Sequence, residues 1–321
     1  MSPFFAALPL SVALAMSGPA LRHDVAIYSG MCDASAAVAL GADHFVVADD
    51  ERNTLLVYRR GEPAPVGTVP LWKFLETKED KESDIEGAAE LGGRIYWIAS
   101  HGRNSDGKKR EDRHRLFATE IVPGSDPPTL RPVGPQYLRL LDDLMADAAL
   151  RPYRLGRASK LSPEARDGLN IEGLAATPDG RLLIGFRNPI PGGRALIVPI
   201  ENPLEVVSGA RAKLGAPIEV DLDGRGIRSL ERIGSAYLVV AGPPADIGSF
   251  ALYRWSGQAR GAAPQAIRAR LGALRPEALF EVPGTADVQI LSDDGGVEKN
   301  GVRCKDRPPD ERSFRSITVR P

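Results

Sequence analysis

Two acidic residues stand at the start of otherwise apolar segments of this chain. Glu86 lies in DIEGAAELGGRIYWIASHGRN, residues 84–104, and Glu172 lies in NIEGLAATPDGRLLIGFRNP, residues 170–189. An ionised carboxylate inside an apolar strand costs free energy because it loses its hydration without gaining a partner. The repeated Ile-Glu-Gly pattern therefore indicates that both carboxylates face a polar space at the mouth of a strand.

Three further segments share this layout of a polar start, an apolar strand, a tight turn and a second apolar strand. The five segments begin at Cys32, Ile85, Ile171, Ile227 and Pro276. Alignment of their starts places five charged side chains at one position: Asp33, Glu86, Glu172, Arg228 and Glu277. A small residue next to each of them allows close approach of neighbouring strands. The alignment predicts a ring of four carboxylates and one arginine.

Such a ring favours binding of a hard divalent cation. Four carboxylates within about 10 Å of one another repel unless a cation neutralises them, and Ca²⁺ takes oxygen ligands. We therefore expect these metal ligands: Asp33, Glu86, Glu172 and Glu277. Two alternatives stay open. Arg228 could hold an anionic substrate beside the metal, or it could neutralise the ring by salt bridges in a hydrated channel without a ligand.

Polar residues recur just after the second strand of each unit. His101, Arg103 and Arg187 lie there, and with Arg228 they form the predicted catalytic set. The arginines could clamp a phosphate or carboxylate, and His101 is a candidate general base. The predicted rim consists of Asp49, Asp50, Asn104, Asn188, Asp293 and Asp294. Solvated loop surface is the alternative for each of these residues.

The elements that must position these side chains are short strands. Each of the five units continues into a third strand, and most have a weaker fourth, a pattern typical of a β-propeller. The fifth unit lacks a fourth strand, and DVAIYSG at residues 24–30 is an orphan strand. We expect an all-β, five-bladed β-propeller closed by this N-terminal strand, because closure removes an exposed sheet edge.

One segment interrupts the period. Residues 135–168 form an insertion before the third blade, in which four residues lie at helical spacing: Leu138, Leu141, Met145 and Ala148. This spacing predicts an amphipathic helix, and Ser162-Pro163-Glu164 predicts the start of a short second helix. Packing against the blades and a lid over a site are both compatible with the pattern.

The two cysteines lie near opposite ends of the chain. Cys32 precedes the first inner strand, and Cys304 lies between the second and third strands of the last unit. In a closed ring these two loops open on one face in neighbouring blades. We therefore expect a Cys32–Cys304 disulfide, with two separate buried thiols as the alternative.

The N-terminus favours export. Residues 3–16 are apolar and small residues follow, so residues 1–20 resemble a signal peptide, while a loosely packed apolar arm is the alternative. Residues 24–321 then form a single propeller domain, which we expect in the periplasm or outside the cell. The stretch is too short to span a bilayer.

The composition limits the classes of molecule that this protein is expected to bind. The chain of 321 residues has 41 Lys+Arg, 42 Asp+Glu and a formal net charge of −1, with no basic stripe. Electrostatic capture of nucleic acid or of an anionic membrane is therefore not expected. No GxGxxG, P-loop, HExxH or GxSxG motif occurs, so no nucleotide cofactor is expected. The expected partner is a small anionic molecule, or a sugar or peptide, bound by a monomer.

Several motifs resemble the bacterial family called domain of unknown function 3616. They are MCDASAAVALGADHFVVADDERN, DIEGAAELGGRIYWIASHGRN, NIEGLAATPDGRLLIGFRNP and GRGIRSLERI, and the resemblance extends over the chain from about Asp24. It implies a β-propeller and no particular chemistry. More distantly, the Ile-Glu-Gly strand starts are similar to those of phytase-like esterases and gluconolactonase-type propellers, which gather calcium with axial acidic and amide residues. Arg228 departs from that pattern.

Two functions follow as hypotheses. The first is a metal-dependent hydrolase of a small phosphoester, lactone or ester, in which the metal activates water. The second is a non-catalytic propeller whose rim binds a sugar, peptide or protein partner. A metal requirement distinguishes them.

Overall fold

Five antiparallel sheets of four strands each build the molecule. The computed structural model describes residues 24–49, 51–78, 81–245, 248–259, 261 and 263–321. Each sheet is one blade, and in blades 1 to 4 the chain adds strands from the inside outwards. The predicted all-β, five-bladed propeller is confirmed.

The first three blades are formed by consecutive strands. Blade 1 contains β2 (Ala34–Leu40), β3 (His44–Asp49), β4 (Thr54–Arg59) and β5 (Pro65–Pro70). Blade 2 contains β6 (Ile85–Leu91), β7 (Arg94–Ala99), β8 (Leu116–Ile121) and β9 (Leu130–Tyr137). Blade 3 contains β10 (Asn170–Ala176), β11 (Leu182–Asn188), β12 (Ala195–Ile200) and β13 (Ile218–Val220).

The last blade combines both ends of the chain. Blade 4 contains β14 (Gly226–Ile233), β15 (Ala236–Gly242), β16 (Ala251–Trp255) and β17 (Gln265–Ile267). Blade 5 contains β18 (Pro276–Glu281), β19 (Val288–Ser292), β22 (Ser313–Val319) and, outermost, β1 (Ala26–Ser29). Strand β1 pairs antiparallel with β22, Ala26 opposite Ser316 and Ser29 opposite Ser313. A small hairpin, β20 (Glu298–Lys299) and β21 (Val302–Arg303), lies between β19 and β22.

The inner strands β2, β6, β10, β14 and β18 pack side by side around the axis. Each contacts the inner strands of the two neighbouring blades, and β18 contacts β2, so the ring is closed. Hydrophobic clusters fill the spaces between blades. Burial of this apolar area is the main term that holds blade on blade.

The seam between blades 5 and 1 is packed with aromatic rings. Tyr28 of β1 lies with its ring centre 5.1 Å from that of Phe45 and 5.4 Å from that of Phe314. Phe45 stacks on Phe280 of blade 5 at 5.4 Å. Such pairs add to the stability gained from area burial alone, so the N-terminal strand contributes to the core at the point where the ring closes.

The insertion differs in detail from the sequence expectation. Helix α1 spans Leu140–Ala146 and a short α2 spans Leu155–Ala158. Leu140, Leu141 and Leu144 form the buried face, whereas the predicted positions Leu138 and Met145 are exposed by 46% and 42%. The residues after Ser162 form turns, so the predicted helix there was wrong.

The remaining helical segments are short. A one-turn helix α3 spans Pro203–Val206, and five 3-10 turns span Glu111–Arg113, Arg151–Tyr153, Pro191–Gly193, Cys304–Asp306 and Pro309–Glu311. Among the described residues, no helix is long and apolar enough to cross a bilayer. The predicted signal peptide, residues 1–20, lies outside the described residues.

Candidate functional site at the channel mouth

Each inner strand has an irregularity at the same place. Strand pairing shifts by one residue near the start of every inner strand, so one residue is unopposed by the neighbouring strand. The unopposed residues are Ser35, Glu86, Glu172, Arg228 and Glu277. A β-bulge re-aims the side chain of its extra residue. Five bulges therefore direct five side chains to the mouth of the channel.

Arg228 is the central cation of this ring. Its Nε lies 3.1 Å from Oε2 of Glu172, and its Nη2 donates to Oε1 of Glu277. The guanidinium also stacks over the ring of Phe250 at 5.6 Å. All three charged residues are nearly fully buried. Arg228 thus ties blades 3, 4 and 5 together through two ion pairs.

Arg187 gives Glu172 a second partner. Its Nη1 donates to Oε1 of Glu172 at 3.1 Å, and Asn170 Nδ2 donates to the same oxygen at 2.8 Å. Glu172 therefore accepts hydrogen bonds from one arginine and one amide through Oε1, and its Oε2 forms an ion pair with Arg228. Burial of a charge is tolerated when it is paired in this way.

Glu86 is in a different situation. It is 8% exposed, and within the described part of the chain its carboxylate makes neither a hydrogen bond nor an ion pair. Burial, and then the charges of Asp84, Glu172 and Glu277, raise its pKa well above the usual range. A buried acceptor without a partner is a position at which a proton, a cation or a ligand donor would gain free energy.

The mouth as a whole carries an excess of carboxylates. Asp84 lies beside Glu86 and accepts from Nη1 of Arg113 at 2.7 Å; burial raises the pKa of Asp84 to about 7. Burial likewise raises the pKa of Glu277 to about 8, although Arg228 opposes that shift. For both carboxyl groups, the loss of hydration raises the pKa by more than the neighbouring arginines lower it.

A hydrogen-bond donor at the mouth also lacks an acceptor among the described residues. Nη1 of Arg228 is buried and has no hydrogen-bond partner among the described residues. The mouth therefore presents an unpaired acceptor, Glu86, and an unpaired donor, Arg228. Within the described ranges, however, no three Asp, Glu, His or Cys side chains are grouped tightly enough to hold a metal as they stand.

The predicted position of the first blade was wrong by two residues. Ser35, not Asp33, is the bulged residue of β2, because Ala34 pairs with Asp49 and Ala36 with Ala48. The ring thus contains three carboxylates, one arginine and one serine, whose buried Oγ has no partner among the described residues. Ser35 was missed because the alignment was anchored on charge, whereas the small residue after the bulge, Ala36, marks the true register.

Asp33 forms a separate pair at the seam. It makes an isolated β-bridge with Asp293 of blade 5, so the two carboxyl groups lie close enough for their charges to interact. Burial, and then the Asp293 carboxylate, raise the pKa of Asp33 to about 9. Like charges held this close in a buried place favour the state in which the pair holds a proton.

The other predicted rim residues mostly support local structure. Asp294 receives three hydrogen bonds from Arg315, including Nη2 at 2.6 Å. Asn188 donates to the backbone oxygens of Pro163 and Ala165, which anchors the insertion to β11.

The remaining rim residues lie in loops or at a strand end. Asn104 closes its own turn by accepting from Lys108 N at 2.7 Å. Asp49 is buried at the end of β3, and burial raises its pKa to about 7. Asp50 lies outside the described residues.

The predicted catalytic set is divided between two places. Arg228 belongs to the ring and Arg187 pairs with the ring residue Glu172, whereas His101 and Arg103 line a cleft beside the helical insertion. Arg103 is already engaged, since Nε donates to Ser159 O and Nη1 to Gly107 O, both at 3.0 Å. The structure therefore brings Arg187 and Arg228 together at the mouth and leaves His101 and Arg103 at the cleft.

The two cysteines form the predicted disulfide. Cys32 and Cys304 are bonded with a Cα–Cα distance of 5.9 Å. Asp294 N donates to Cys32 O at 2.9 Å, which adds a backbone link at the same seam. The disulfide, the Asp33–Asp293 pair and the aromatic cluster therefore reinforce one junction of the ring.

The middle of the chain carries a family signature. Residues 134–289 match the family described as protein of unknown function, DUF3616. This match confirms the resemblance seen in the motifs. The DUF3616 match includes the insertion, Arg187 and the ring residues Glu172, Arg228 and Glu277, but neither Glu86 nor His101.

Comparisons with other proteins add similarities of fold. No curated protein sequence matches the chain. The PQQ-bound aldose sugar dehydrogenase of Streptomyces coelicolor is 11% identical with a TM-score of 0.44, covering 94% of this chain and 100% of that one. A GH43 glycoside hydrolase with an engineered active site is 11% identical, TM-score 0.46, over 93% and 52% of the two chains. The Aleuria aurantia lectin is 13% identical, TM-score 0.37, over 84% and 71%.

Proposed function

We propose that this protein is an exported β-propeller whose channel mouth binds a cation together with a small anionic ligand. The observation that carries the proposal is Glu86, a buried carboxylate without a partner beside two more carboxylates. The disulfide supports an oxidising compartment, which is the periplasm or the extracellular space.

Ca²⁺ is the cation that suits the mouth best. All candidate donors are oxygens, and Ca²⁺ tolerates irregular ligand sets. Glu86 would be the anchoring ligand, and Glu172 or Glu277 would join it by releasing Arg228. The freed guanidinium, which already has an unpaired Nη1, would then meet an anionic group of the ligand.

Hydrolysis of a small phosphoester, lactone or ester is the second candidate function. The pairing of a cation site with Arg187 and Arg228 favours it, since these groups can hold a developing negative charge. A divalent cation would supply polarisation of the ester or phosphoester oxygen. A hydrolase panel with and without EDTA separates this candidate from binding alone.

Thermal unfolding with added calcium tests the cation site. Binding to the native state alone raises stability by about 2.7 kcal/mol at a ligand concentration of 100 times Kd. We expect CaCl₂ to raise the Tm of the EDTA-treated protein above that in KCl of equal ionic strength. Glu86→Gln should remove the calcium shift, because it removes the anchoring charge.

Arg228→Ala serves as the second variant. It should keep or enlarge the calcium shift, since Glu172 and Glu277 lose their competing cation, while its Tm without calcium falls. A wild type that does not respond to calcium, combined with Arg228→Ala as the least stable variant, would show that the ring is an ion-pair network only. That result would leave a binding propeller without a metal.

A further inference from the structure

A groove lies at the junction of blades 4 and 5, outside the ring. One wall is the end of the loop that joins β15 to β16, residues 248–250, and the other is residues 269–275, between β17 and β18. Both connections lie at the end of the propeller where the inner strands begin, so the groove opens on the same face as the mouth. Its volume is about 820 Å³, within the range of about 300–1,000 Å³ that is typical of small-molecule sites.

Positive charge lines this groove. Arg270 and Arg275 belong to its lining, and no Asp or Glu occurs among the described residues that line it. Residues 248–276 contain five arginines and no acidic residue, so the chain on either side of the lining adds further positive charge. A concave surface with charges of one sign raises the local concentration of oppositely charged ligands. The groove therefore favours anions.

The guanidinium of Arg275 is a donor that a ligand can reach. Arg275 is only partly buried and lines the groove. Its backbone N donates to Ser292 Oγ at 2.9 Å, and its backbone O accepts from Asp293 N at 2.8 Å. A Cβ on Gly296 would lie 2.6 Å from Nη1, so the glycine leaves space for the guanidinium. Within the described ranges this guanidinium makes neither a hydrogen bond nor an ion pair.

The segment that carries both arginines is anchored to the propeller. Leu271 and Leu274 are buried in the hydrophobic cluster shared by blades 4 and 5, and Leu274 N donates to Leu271 O at 3.1 Å. Nη2 of Arg315 donates to the backbone oxygen of Ala273, also at 3.1 Å. Arg270 and Arg275 thus extend from a fixed backbone, which lowers the entropy lost when a ligand binds.

The opposite wall carries an aromatic ring. Phe250 is partly buried and lines the groove, and the guanidinium carbon of Arg228 lies 5.6 Å from the centre of its ring. Ser249 next to it accepts two hydrogen bonds from Arg225, from Nε at 3.1 Å to the backbone oxygen and from Nη2 at 3.0 Å to Oγ. These contacts hold an apolar surface opposite the two arginines.

We propose that the groove binds a small molecule that combines a carboxylate or phosphate group with an aromatic or apolar body. The anionic group pairs with Arg275 and Arg270, because a guanidinium matches the geometry of both kinds of anion. The body packs on Phe250. No ring residue lines the groove, so binding here does not depend on the cation proposed for the mouth.

Titration of the full chain in EDTA with phenyl phosphate, benzoate, inorganic phosphate and benzyl alcohol tests the inference. Calorimetry measures affinity, and ¹H–¹⁵N NMR follows the Nε–H signals of the arginines. We expect phenyl phosphate or benzoate to bind and to shift the signals of Arg270 and Arg275, and the tighter of the two identifies the anionic group. Inorganic phosphate should bind about tenfold more weakly, because it lacks the apolar body. Benzyl alcohol should not bind, because it has no charge.

Two arginine variants and a matched control locate the anion. Arg275→Gln and Arg270→Gln should each weaken binding about tenfold, because each removes a charged hydrogen-bond donor. Arg268→Gln, at an exposed residue two positions before Arg270 that does not line the groove, should leave the affinity unchanged. Glu86→Gln should bind the anion like the wild type.

Four results would overturn the inference. Neither phenyl phosphate nor benzoate binds at millimolar concentration, or benzyl alcohol or inorganic phosphate binds as tightly as they do. Arg268→Gln weakens binding as much as Arg270→Gln, which would assign the effect to net charge. Glu86→Gln loses the ligand, which would place the anion at the mouth. Both Arg270→Gln and Arg275→Gln bind like the wild type. Arg270 is exposed, so its variant keeps the test decisive even where Arg275→Gln folds poorly.

Discussion

The pKa values of buried carboxyl groups in this protein are shifted mainly by loss of hydration. The carboxyls of Asp33 and Glu277 lie at the same end of the channel, and burial is the largest cause of the raised pKa in both. Arg228 opposes the shift at Glu277 without cancelling it. The folded protein therefore binds a proton at each of these groups more tightly than the unfolded chain does.

These raised pKa values predict that the free energy of unfolding falls as pH rises from about 5 to 9. The Asp33 carboxyl has a pKa of about 9 when folded and 3.8 when exposed, so between these values the folded state binds a proton that the unfolded state has lost. Its stabilising contribution is complete below 3.8 and is lost as pH rises through about 9. Each such group contributes a slope of about 1.4 kcal/mol per pH unit within its window. Urea unfolding at several pH values measures the slope.

Asp33→Asn is the matched control for this prediction. The amide keeps the shape and donates to Asp293 without a proton to lose, so the slope should flatten and the stability at pH 8–9 should rise above that of the wild type. An unchanged slope in the variant would assign the pH dependence to other groups.

At the scale of strands, the recurring bulge is the feature that builds the site. It turns a side chain inward at the same point of every inner strand, and the small residue after it lets the neighbouring blade approach. A Cβ on Gly173 would lie 2.7 Å from Cγ2 of Ile227 and 3.0 Å from Cα of Gly185. Gly87 is similarly confined by Ile98 and Leu174. The Glu-Gly pairs thus combine a polar group for the mouth with space for packing.

Gly173→Ala should therefore destabilise the protein by about 1–3 kcal/mol through overpacking. Chemical denaturation gives the free energy of unfolding for comparison with the wild type. Gly67→Ala in β5 is the control, because its nearest neighbour, Cβ of Val57, would be at an ordinary 3.4 Å. The control should change stability by less than about 0.5 kcal/mol. Equal effects at the two positions would contradict the role of close blade packing.

At the scale of the whole molecule, one junction holds the ring shut. The N-terminal strand β1 completes blade 5, and the Cys32–Cys304 bond spans a sequence separation of 272 residues. Closing so long a loop restricts the unfolded chain by about 5 kcal/mol in the chain-entropy model. Tyr28 and Phe45 add apolar packing at the same place.

Reduction of the disulfide should thus lower the free energy of unfolding by about 3–5 kcal/mol. Urea unfolding with and without dithiothreitol measures the difference. The Cys32→Ser, Cys304→Ser double variant should match the reduced wild type and should not respond to dithiothreitol. Identical unfolding curves for oxidised and reduced wild type would show that the aromatic seam alone closes the ring.

The sequence by itself determined the repeating architecture and the covalent link. Period and turn chemistry are local properties, so five strand groups beginning near Cys32, Ile85, Ile171, Ile227 and Pro276 could be recognised without coordinates. Once the ring was assumed, Cys32 and Cys304 had to be neighbours, and the structure has them bonded. The Ile-Glu-Gly starts also identified Glu86 and Glu172 as mouth residues.

Only the tertiary structure decided the register and the partners. A bulge adds one residue without altering the apolar pattern, so the sequence did not distinguish Asp33 from Ser35 as the first-blade member of the ring. Helical spacing likewise left the buried face of α1 ambiguous by one residue, because packing against the blades selects Leu144 over Met145.

Whether a carboxylate is paired depends on side chains from other strands and blades. Glu172 has Arg187 and Arg228 beside it, Glu86 has neither, and this difference arises from three-dimensional distances that no local pattern encodes.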